Sequence, residues 1–453
     1  DAAVSFVCVA MPARERGKLT MPVQFRFLQD RSDLVLVAAV ALLPVDGTVL
    51  GIYAPFWTPI SPWLFLLYAL LHRRYLPTVY HRFRPFFWLP VLLMVLSVPG
   101  WIMFGFHTVA MLESLLGVLG ALGCLASLDI ALTCKQLDWR RLMHILIAVY
   151  WVALAVGVVQ WLAIHLDVEC VVEYFKHLMA RQYVSDDSVW GGGRPQFLFA
   201  EPSYIGMHLF GVLLPLMWMM RGRDAVYVRR WRELIVTFAA MAVLMGAGTR
   251  IVLDALVALA IVVVERTHWR EFVSRKRGVV AMFGVVVLGV LSLLLDDRLG
   301  SIAQEGMTGD GSFYARIWQS LGPLMGLLRH PWTLLTGYGA GNLADATHTG
   351  AADAVGILEN FDGGTAGPAG WYASVTHETM FTMSAWTSFL VEFGIIGLSL
   401  LCAMVLRHVA RTAGWHKTAI CWLILVAYLY IQFEGYAFYA LPLLVWGLRH
   451  DIK

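Results

Sequence analysis

Apolar stretches long enough to cross a lipid bilayer recur along almost the whole chain. A helix needs about 20 mostly apolar residues to span the hydrocarbon core, and about twelve stretches approach that length. They lie at roughly 33–53, 57–71, 86–105, 108–133, 142–165, 203–220, 233–248, 250–264, 279–295, 385–406, 418–434 and 437–448. Only 14% of the residues are charged, against about 25% in soluble domains. The sequence therefore predicts an all-α polytopic membrane protein with about 12 transmembrane helices.

Basic residues cluster between alternate apolar stretches, at 73–84, 135–141, 221–232, 266–277, 407–417 and both termini. Cytoplasmic loops carry an excess of Lys and Arg, so twelve spans with both termini in the cytoplasm place every cluster on that side. We therefore expect a cytoplasmic tail over 1–32, without a cleavable signal peptide, and one transmembrane domain over 33–453. Of the 34 Lys and Arg, those left on the outer side are Lys176, Arg181, Arg194, Arg250, Arg298, Arg316 and Arg329.

Two sizeable outer segments remain, at about 166–202 and 296–384. The second is the longest interval that is unsuited to lipid. It holds an amphipathic pattern around 312–330, a Gly-Tyr-Gly-Ala-Gly-Asn run at 337–342, and a polar patch ending at His377 and Glu378. Loops of this length are usually functional or disordered, and the periodicity favours order. We expect the two segments to form a cap, with short helices, over an active site that faces away from the cytoplasm.

Several kinds of site have no signature in this sequence. The six cysteines include no Cys-x-x-Cys pair and no cluster with histidine, so neither a metal site nor a disulfide framework is predicted. Walker A, Rossmann and Asp-x-Asp patterns are missing, which argues against nucleotide hydrolysis and against nucleotide-sugar donors. No patterned nucleic-acid surface is present. We therefore expect no metal, no cofactor and no nucleic-acid partner.

The segment 194–203 carries the first candidate site residues, Arg194 and Glu201. Pro202 disfavours a helical conformation at Glu201 and suits the first turn of the helix that follows. Glu201 is thus expected at the outer mouth of the sixth span, beside the free N–H groups of a helix N-terminus. Its carboxylate could cap that helix or accept a proton, and the sequence leaves both roles open.

Two arginines are candidates for binding an anion. Arg250 ends the turn Gly-Ala-Gly-Thr-Arg at 246–250, and an arginine at membrane depth is a functional hypothesis by default. Asp254 lies one helical turn later and could instead be a structural partner of Arg250. Arg316 borders the apolar stripe of the amphipathic pattern, where it could bind phosphate or snorkel at the interface.

His377 is the candidate general base, because histidine is the side chain that most often has that role. A boundary histidine without a role is an equally good interpretation, and His348 is a weaker competitor. Glu113 and Glu392 lie within predicted spans and receive no role. The three outer arginines, one acid and one histidine together suggest a site for a lipid-linked phosphate or pyrophosphate.

At these residues the sequence resembles the O-antigen polymerase and ligase superfamily, over roughly 190–400. The likeness comprises Arg194 with Phe-Ala-Glu-Pro-Ser at 199–203, Gly-Thr-Arg at 248–250, and Arg-Ile-Trp at 316–318 leading to Pro331. It continues with the glycine run at 337–342 and ends with Glu-Phe-Gly-Ile-Ile-Gly at 392–397. Each motif is weak alone, and their order and spacing carry the resemblance.

The resemblance implies a metal-independent glycosyltransferase of the bacterial inner membrane that takes a glycan from undecaprenyl pyrophosphate. Arg250 and Arg316, helped by Arg194, would hold the pyrophosphate, and Glu201 or His377 would activate the acceptor hydroxyl. Membrane lipids are expected partners, and a chain-length regulator is a further candidate. Family members often carry His-Asn about nine residues before the final motif's Glu, where this chain has Met383 and Ser384. This departure puts the role of His377 in doubt.

The expected function is a polysaccharide polymerase that joins a growing glycan to a lipid-linked repeat unit. Met383-Ser384 and the Glu-Pro-Ser triplet favour this function over an O-antigen ligase, whose acceptor is lipid A–core. A transporter or lipid flippase is the alternative from another class. It predicts charges at mid-membrane and an internal repeat, whereas the notable charges here lie at the outer boundary.

Overall fold

The computed structural model describes residues 29–52, 58–185, 192–360, 364–382, 384–412, 414–431 and 439–449. Within these ranges the protein is almost entirely helical, apart from a two-residue antiparallel pairing of Gly51–Ile52 with Thr58–Pro59. The predicted cytoplasmic tail lies outside the described residues except for positions 29–32, as do Met383 and positions 450–453. The prediction of an all-α fold is confirmed.

The first half of the chain forms helices that run through the predicted spans and the first outer segment. They are α1 (Asp33–Ala41), α2 (Ile60–Leu71), α3 (Leu76–Phe104), α4 (Thr108–Leu128), α5 (Trp139–His165), α6 (Glu169–Leu178), α7 (Leu214–Met220), α8 (Ala225–Leu244) and α9 (Thr249–Arg266). Shorter 3₁₀ segments at Arg73–Tyr75 and Pro202–Tyr204 and π segments at Asp129–Cys134 and Met207–Leu213 extend or precede some of these helices.

The second half contains one more long apolar helix, a series of short helices, and a final group of apolar helices. They are α10 (Phe272–Leu295), α11 (Asp297–Glu305), α12 (Gly311–Arg329), α13 (Thr333–Thr336), α14 (Leu343–Leu358), α15 (Ala366–Ser374), α16 (Ala385–Thr412), α17 (Lys417–Ile431) and α18 (Ala440–Arg449). Helices α11 to α15 all fall inside the interval 296–384.

Six helical segments in the described ranges are long and apolar enough to cross a membrane. They are Arg73–Phe104, Thr108–Cys134, Trp139–His165, Pro202–Met220, Phe272–Leu295 and Ala385–Thr412. The other predicted spans contain helices that are shorter (α1, α2, α17 and α18) or carry more charge (α8 and α9). The long apolar helices support a membrane protein, while the count of twelve and the sidedness stay predictions.

Burial separates the centre of the helical bundle from its periphery. In the segment Pro202–Met220, 94% of the 18-residue apolar window is buried, whereas in Phe272–Leu295 only 11% of the corresponding window is buried. Leu294 and Leu295 of α10 are 74% and 80% exposed, a degree of apolar exposure that suits contact with lipid chains. The helix that follows Glu201 is therefore central to the fold, and α10 lies at its edge.

Helix α16 is interrupted at Gly394, whose backbone has φ 64° and ψ −173°. This break frees the carbonyl groups of Val391 and Glu392, which accept hydrogen bonds from the N–H groups of Tyr338 and Gly339 at 2.8 and 2.9 Å. Irregular backbone at membrane depth must have its polar groups satisfied by protein. The glycine run at 337–342 supplies that pairing here.

The glycine run fits against α16 because it carries almost no side chains at the contact. Gly337 has φ 77°, and a Cβ there would lie 2.2 Å from the carbonyl oxygen of Glu392. Tyr338 is fully buried and donates a hydrogen bond to the carbonyl of Gly326 on α12 at 2.8 Å. The run thus joins helix α12 of the interval 296–384 to α16 of the bundle.

Candidate functional site

Arg250 lies in the first turn of α9 and is buried, with 5% of its surface exposed. Its Nε donates to Oδ2 of Asp254, one helical turn later, at 3.3 Å. The hydroxyl of Tyr428, on α17, donates to Oδ1 of the same carboxylate at 2.9 Å. The structural partnership that the spacing of Arg250 and Asp254 suggested is therefore present, and it fixes the guanidinium in place.

Arg316 lies in the second turn of α12. Asp310 caps this helix by accepting a hydrogen bond from the N–H of Phe313 at 2.7 Å. The Nε of Arg316 is buried and has no hydrogen-bond partner among the described residues. Burial lowers the pKa of the Arg316 guanidinium from its usual value, and the positive charge of Arg250 lowers it further. The two predicted phosphate-binding arginines, from different helices, are thus electrostatic neighbours.

Arg194 approaches the same group of charges from the segment before the sixth predicted span. Its guanidinium lies 5.5 Å from the ring centroid of Tyr183, within the range of a cation–π contact. Burial lowers the pKa of Arg194, and the charge of Arg298 lowers it further, whereas the carboxylates of Asp310 and Glu201 act in the opposite direction. Arg298 itself is held by Asp310 through an Nε–Oδ2 hydrogen bond of 2.7 Å.

Glu201 precedes the 3₁₀ turn Pro202–Tyr204 in an extended conformation, φ −143° and ψ 152°, as Pro202 predicts. Its side chain makes no capping hydrogen bond to that turn. It accepts hydrogen bonds from Nη1 of Arg181 and, at 2.8 Å, from the hydroxyl of Ser203. Glu201 is therefore the partner of an arginine rather than a helix cap.

Buried polar side chains fix the backbone just before Glu201. Oε1 of Gln160, on α5, accepts from the N–H groups of Gln196 and Phe197 at 3.0 and 2.7 Å. Oδ1 of Asp46 accepts from the N–H of Ala200 at 3.0 Å. Backbone groups removed from water need such partners, so this loop is held rigidly and aims Glu201 at the arginines.

These residues define what we call the arginine cluster. Its members are Arg181, Arg194, Glu201, Arg250, Asp254, Arg298, Asp310 and Arg316. Five arginines against three carboxylates leave an excess of two positive charges. An excess of partly buried guanidinium groups is suited to binding a phosphate or diphosphate.

His377 belongs to a different group of side chains. Its Nε2 lies 2.9 Å from Oδ2 of Asp345 on α14, and its ring stacks on that of His107 with centroids 3.4 Å apart. Nε2 of His107, just before α4, is 3.8 Å from the same carboxylate oxygen. We call His107, Asp345 and His377 the histidine cluster. Among the described residues these three bring metal-binding atoms within 4.8 Å of one another.

A cavity of about 600 Å³ borders both clusters. Its polar lining includes Arg181, Glu113, His377, Glu378 and Glu392. Its apolar lining runs along α4, α16, α17 and α18 and includes Leu401, Val405, Leu423, Val426, Leu441 and Val445. Because Arg181 also pairs with Glu201, it links the cavity to the arginine cluster.

The two acids that received no role from the sequence both face this cavity. Glu392 is buried, and its Oε1 accepts from the N–H of Gly341 at 2.9 Å and from the hydroxyl of Ser114. Glu113 is partly buried on α4. His348, the weaker histidine candidate, contacts the carbonyl of Val375 through Nε2 at 3.0 Å and is not part of either cluster.

Sequence reasoning did not select Arg181, Asp345 or His107 as site residues. Arg181 stood only among the outer basic residues, and nothing in its neighbourhood connected it with Glu201, 20 positions later. His107 and Asp345 lie in different segments from His377, so no local spacing could have indicated the histidine cluster. Neither the protein-family models nor the curated proteins with which the sequence was compared match this chain.

Proposed function

We propose that this protein is a membrane polysaccharide polymerase of the bacterial inner membrane. It transfers a glycan from undecaprenyl pyrophosphate to the acceptor sugar of a lipid-linked repeat unit at the periplasmic face. The proposal includes twelve spans with both termini in the cytoplasm, the topology that the basic clusters favour. The proposal is also based on the resemblance of residues 190–400 to O-antigen polymerases and ligases.

The observation that carries the proposal is that Arg316 lies within electrostatic range of Arg250, Glu201 and Asp254. Arg316 retains a buried Nε–H donor without a hydrogen-bond partner among the described residues, and such groups in folded proteins call for an explanation. A diphosphate oxygen would satisfy this donor and would offset the repulsion between the two guanidinium groups. Arginine is suited to the task because its planar fork matches phosphate geometry.

The cavity provides a place for the polyprenyl chain of the substrate. It is lined by α16 residues on both sides of the break at Gly394, from Ala385 to Leu406, and by apolar residues of α4, α17 and α18. An isoprenoid chain could lie against this lining while its headgroup reaches the arginine cluster beside Arg181.

In the proposed reaction the acceptor hydroxyl oxygen bonds to the anomeric carbon as the bond from that carbon to the phosphate oxygen breaks. The hydroxyl proton passes to the carboxylate of Glu201, and undecaprenyl pyrophosphate leaves with the electron pair. Arginines placed against the developing negative charge stabilise the transition state, typically by about 2.7–4 kcal/mol for one such donor. Glu201 is preferred over His377 as the base because it lies within the arginine cluster.

A purified reaction tests this function. The protein in detergent or liposomes is supplied with a defined repeat unit on undecaprenyl pyrophosphate, and the products are separated by length. A ladder of longer glycans on the carrier supports the proposal. Unchanged single repeats, from protein that is folded and pure, would contradict it.

A lipid flippase is the second candidate, and the break of α16 at Gly394 is the observation that favours it, because discontinuous helices build many transporter sites. The same purified reaction separates the two, since a flippase moves the lipid without making a glycosidic bond. An O-antigen ligase would leave the carrier-linked repeats unjoined and would transfer glycan only when lipid A–core is added.

A further inference from the structure

The histidine cluster combines two imidazoles and one carboxylate from three separate parts of the chain. His107 comes from the start of α4, Asp345 from α14, and His377 from the loop before α16. A hydrogen bond between His377 and Asp345 accounts for their separation of 2.9 Å. It does not account for His107, whose Nε2 is buried and has no hydrogen-bond partner among the described residues.

The separations of Asp345 from the two histidines are close to those between ligands of a small metal ion. Zinc binds histidine nitrogen and carboxylate oxygen at about 2.0–2.2 Å with tetrahedral geometry, which puts neighbouring ligand atoms about 3.3 Å apart. Oδ2 of Asp345 lies 2.9 Å from Nε2 of His377 and 3.8 Å from Nε2 of His107. A cation placed between the three atoms would occupy the unsatisfied nitrogen. The rings of His107 and His377, which are stacked with centroids 3.4 Å apart, would turn so that both Nε2 lone pairs point at the ion.

We propose that His107, Asp345 and His377 bind a divalent transition metal of the zinc class. Two histidines and one carboxylate are the protein ligands of many zinc sites that keep a fourth position open. His377 lines the cavity, as do Glu378 and Glu113, so a metal bound here would be accessible from the cavity. A metal there polarises the oxygen that it binds.

The metal site does not depend on the proposed polymerase activity. A bound zinc ion would take the Nε2 lone pair of His377, which removes this histidine as a general base and leaves Glu201 in that role. The sequence predicts no metal because the three ligands are distant in the chain. The sequence predicts no metal and the structure suggests one, and direct measurement of metal binding decides between these expectations. A negative result would not affect the polymerase proposal.

The test uses the full-length protein in detergent, freed of its affinity tag and treated with a chelator. Zinc chloride is added by equilibrium dialysis, and bound metal is measured by atomic absorption. We expect one zinc per chain. Loss of a residue that only hydrogen-bonds to a metal ligand weakens metal binding by about 10–100-fold. Each of the ligand variants His107→Ala, Asp345→Asn and His377→Ala should weaken zinc binding at least as much, while His348→Ala should bind zinc as the wild type does.

Cobalt(II) provides a second readout that does not require a variant to fold. Tetrahedral cobalt gives intense visible absorption bands, so wild-type protein loaded with one cobalt per chain should show them, and zinc should abolish them by displacement. The proposal is overturned if the wild type retains no zinc above the level of dialysis buffer. It is equally overturned if all three ligand variants bind zinc with wild-type affinity and stoichiometry.

Discussion

The arginine cluster and the histidine cluster border one cavity, and we propose ligands of opposite charge for them. The first gathers five guanidinium groups around three carboxylates and keeps a positive excess. The second sets two imidazole nitrogens around a single carboxylate oxygen. This difference in charge supports the anion proposed for the first cluster and the cation proposed for the second, and the two proposals can be tested independently.

The clusters also differ in how their side chains are held. Arg250 is fixed by Asp254, and Glu201 by Arg181 and Ser203, so much of the arginine cluster is pre-organised by its own ion pairs. His107 lacks such a partner at Nε2 within the described residues. We expect ligand binding to change the arginine cluster little and to order the histidine cluster more.

The largest expected effect is that of Arg250→Ala. It removes a proposed phosphate ligand and also leaves the buried carboxylate of Asp254 without its arginine, which costs about 3–5 kcal/mol of stability when a buried pair is broken. Polymer should disappear and the thermal unfolding temperature should fall. Glycan length analysis and a melting curve in detergent measure the two effects.

The double variant Arg250→Ala/Asp254→Asn separates those two effects, because it removes the unpaired charge as well. We expect the melting temperature to recover and the polymer to stay absent. Recovery of polymerisation together with stability would mean that Arg250 only balances the charge of Asp254.

Glu201→Gln should reduce the polymerisation rate by about 10²–10⁴-fold, the usual contribution of a general base. Arg181 and Ser203 donate to different oxygens of Glu201. Glutamine keeps one oxygen to accept from Arg181, and its amide NH2 can donate to the Ser203 hydroxyl, so protein levels should change little. Initial rates with a defined carrier-linked repeat provide the measurement. A rate near that of wild type would exclude Glu201 as the proton acceptor.

Arg316→Ala should reduce the rate by about 10²–10³-fold, as the loss of one stabilising donor does elsewhere. Arg329→Ala is the matched control, because Arg329 lies on the same helix, is exposed, and pairs with Asp353 on α14. The control should keep wild-type activity. Equal activity of the two variants would remove Arg316 from the site.

The smallest expected effect is thermal stabilisation by zinc. At a free concentration 100 times its Kd, a ligand stabilises the folded state by about 2.7 kcal/mol. Wild type and Arg316→Ala should both melt at higher temperature with zinc, and Asp345→Asn should not. If Arg316→Ala loses this response, the two clusters are coupled and cannot be treated as separate sites.

The sequence indicated much of the arginine cluster because its clues are local. The spacing of Arg250 and Asp254 along one helix suggested an ion pair as one of two alternatives, and Pro202 predicted the extended backbone of Glu201. The amphipathic pattern around Arg316 predicted the helix that carries it. In each case the relevant neighbours lie within a few residues, which is the range over which helical periodicity and proline geometry act.

Other features could not be predicted from local pattern. The pairing of Arg181 with Glu201 depends on how a loop folds back, and the meeting of His107 with His377 joins segments 270 positions apart. In the sequence, the residues around Gly394 look like part of an ordinary apolar helix. The break there is associated with the glycine run at 337–342, which docks against α16 and is distant in the chain. Tertiary packing determines these contacts, and the periodicity of the sequence does not indicate them.

Titration of the protein with undecaprenyl pyrophosphate tests the central claim, that the arginine cluster binds a diphosphate headgroup. Binding is measured for wild type, Arg316→Ala and Arg329→Ala in the same detergent. A hydrogen bond to a charged group contributes about 1.5–3 kcal/mol, so Arg316→Ala should bind about 10–100-fold more weakly while Arg329→Ala matches the wild type. Equal affinity of all three proteins for the lipid would contradict the claim.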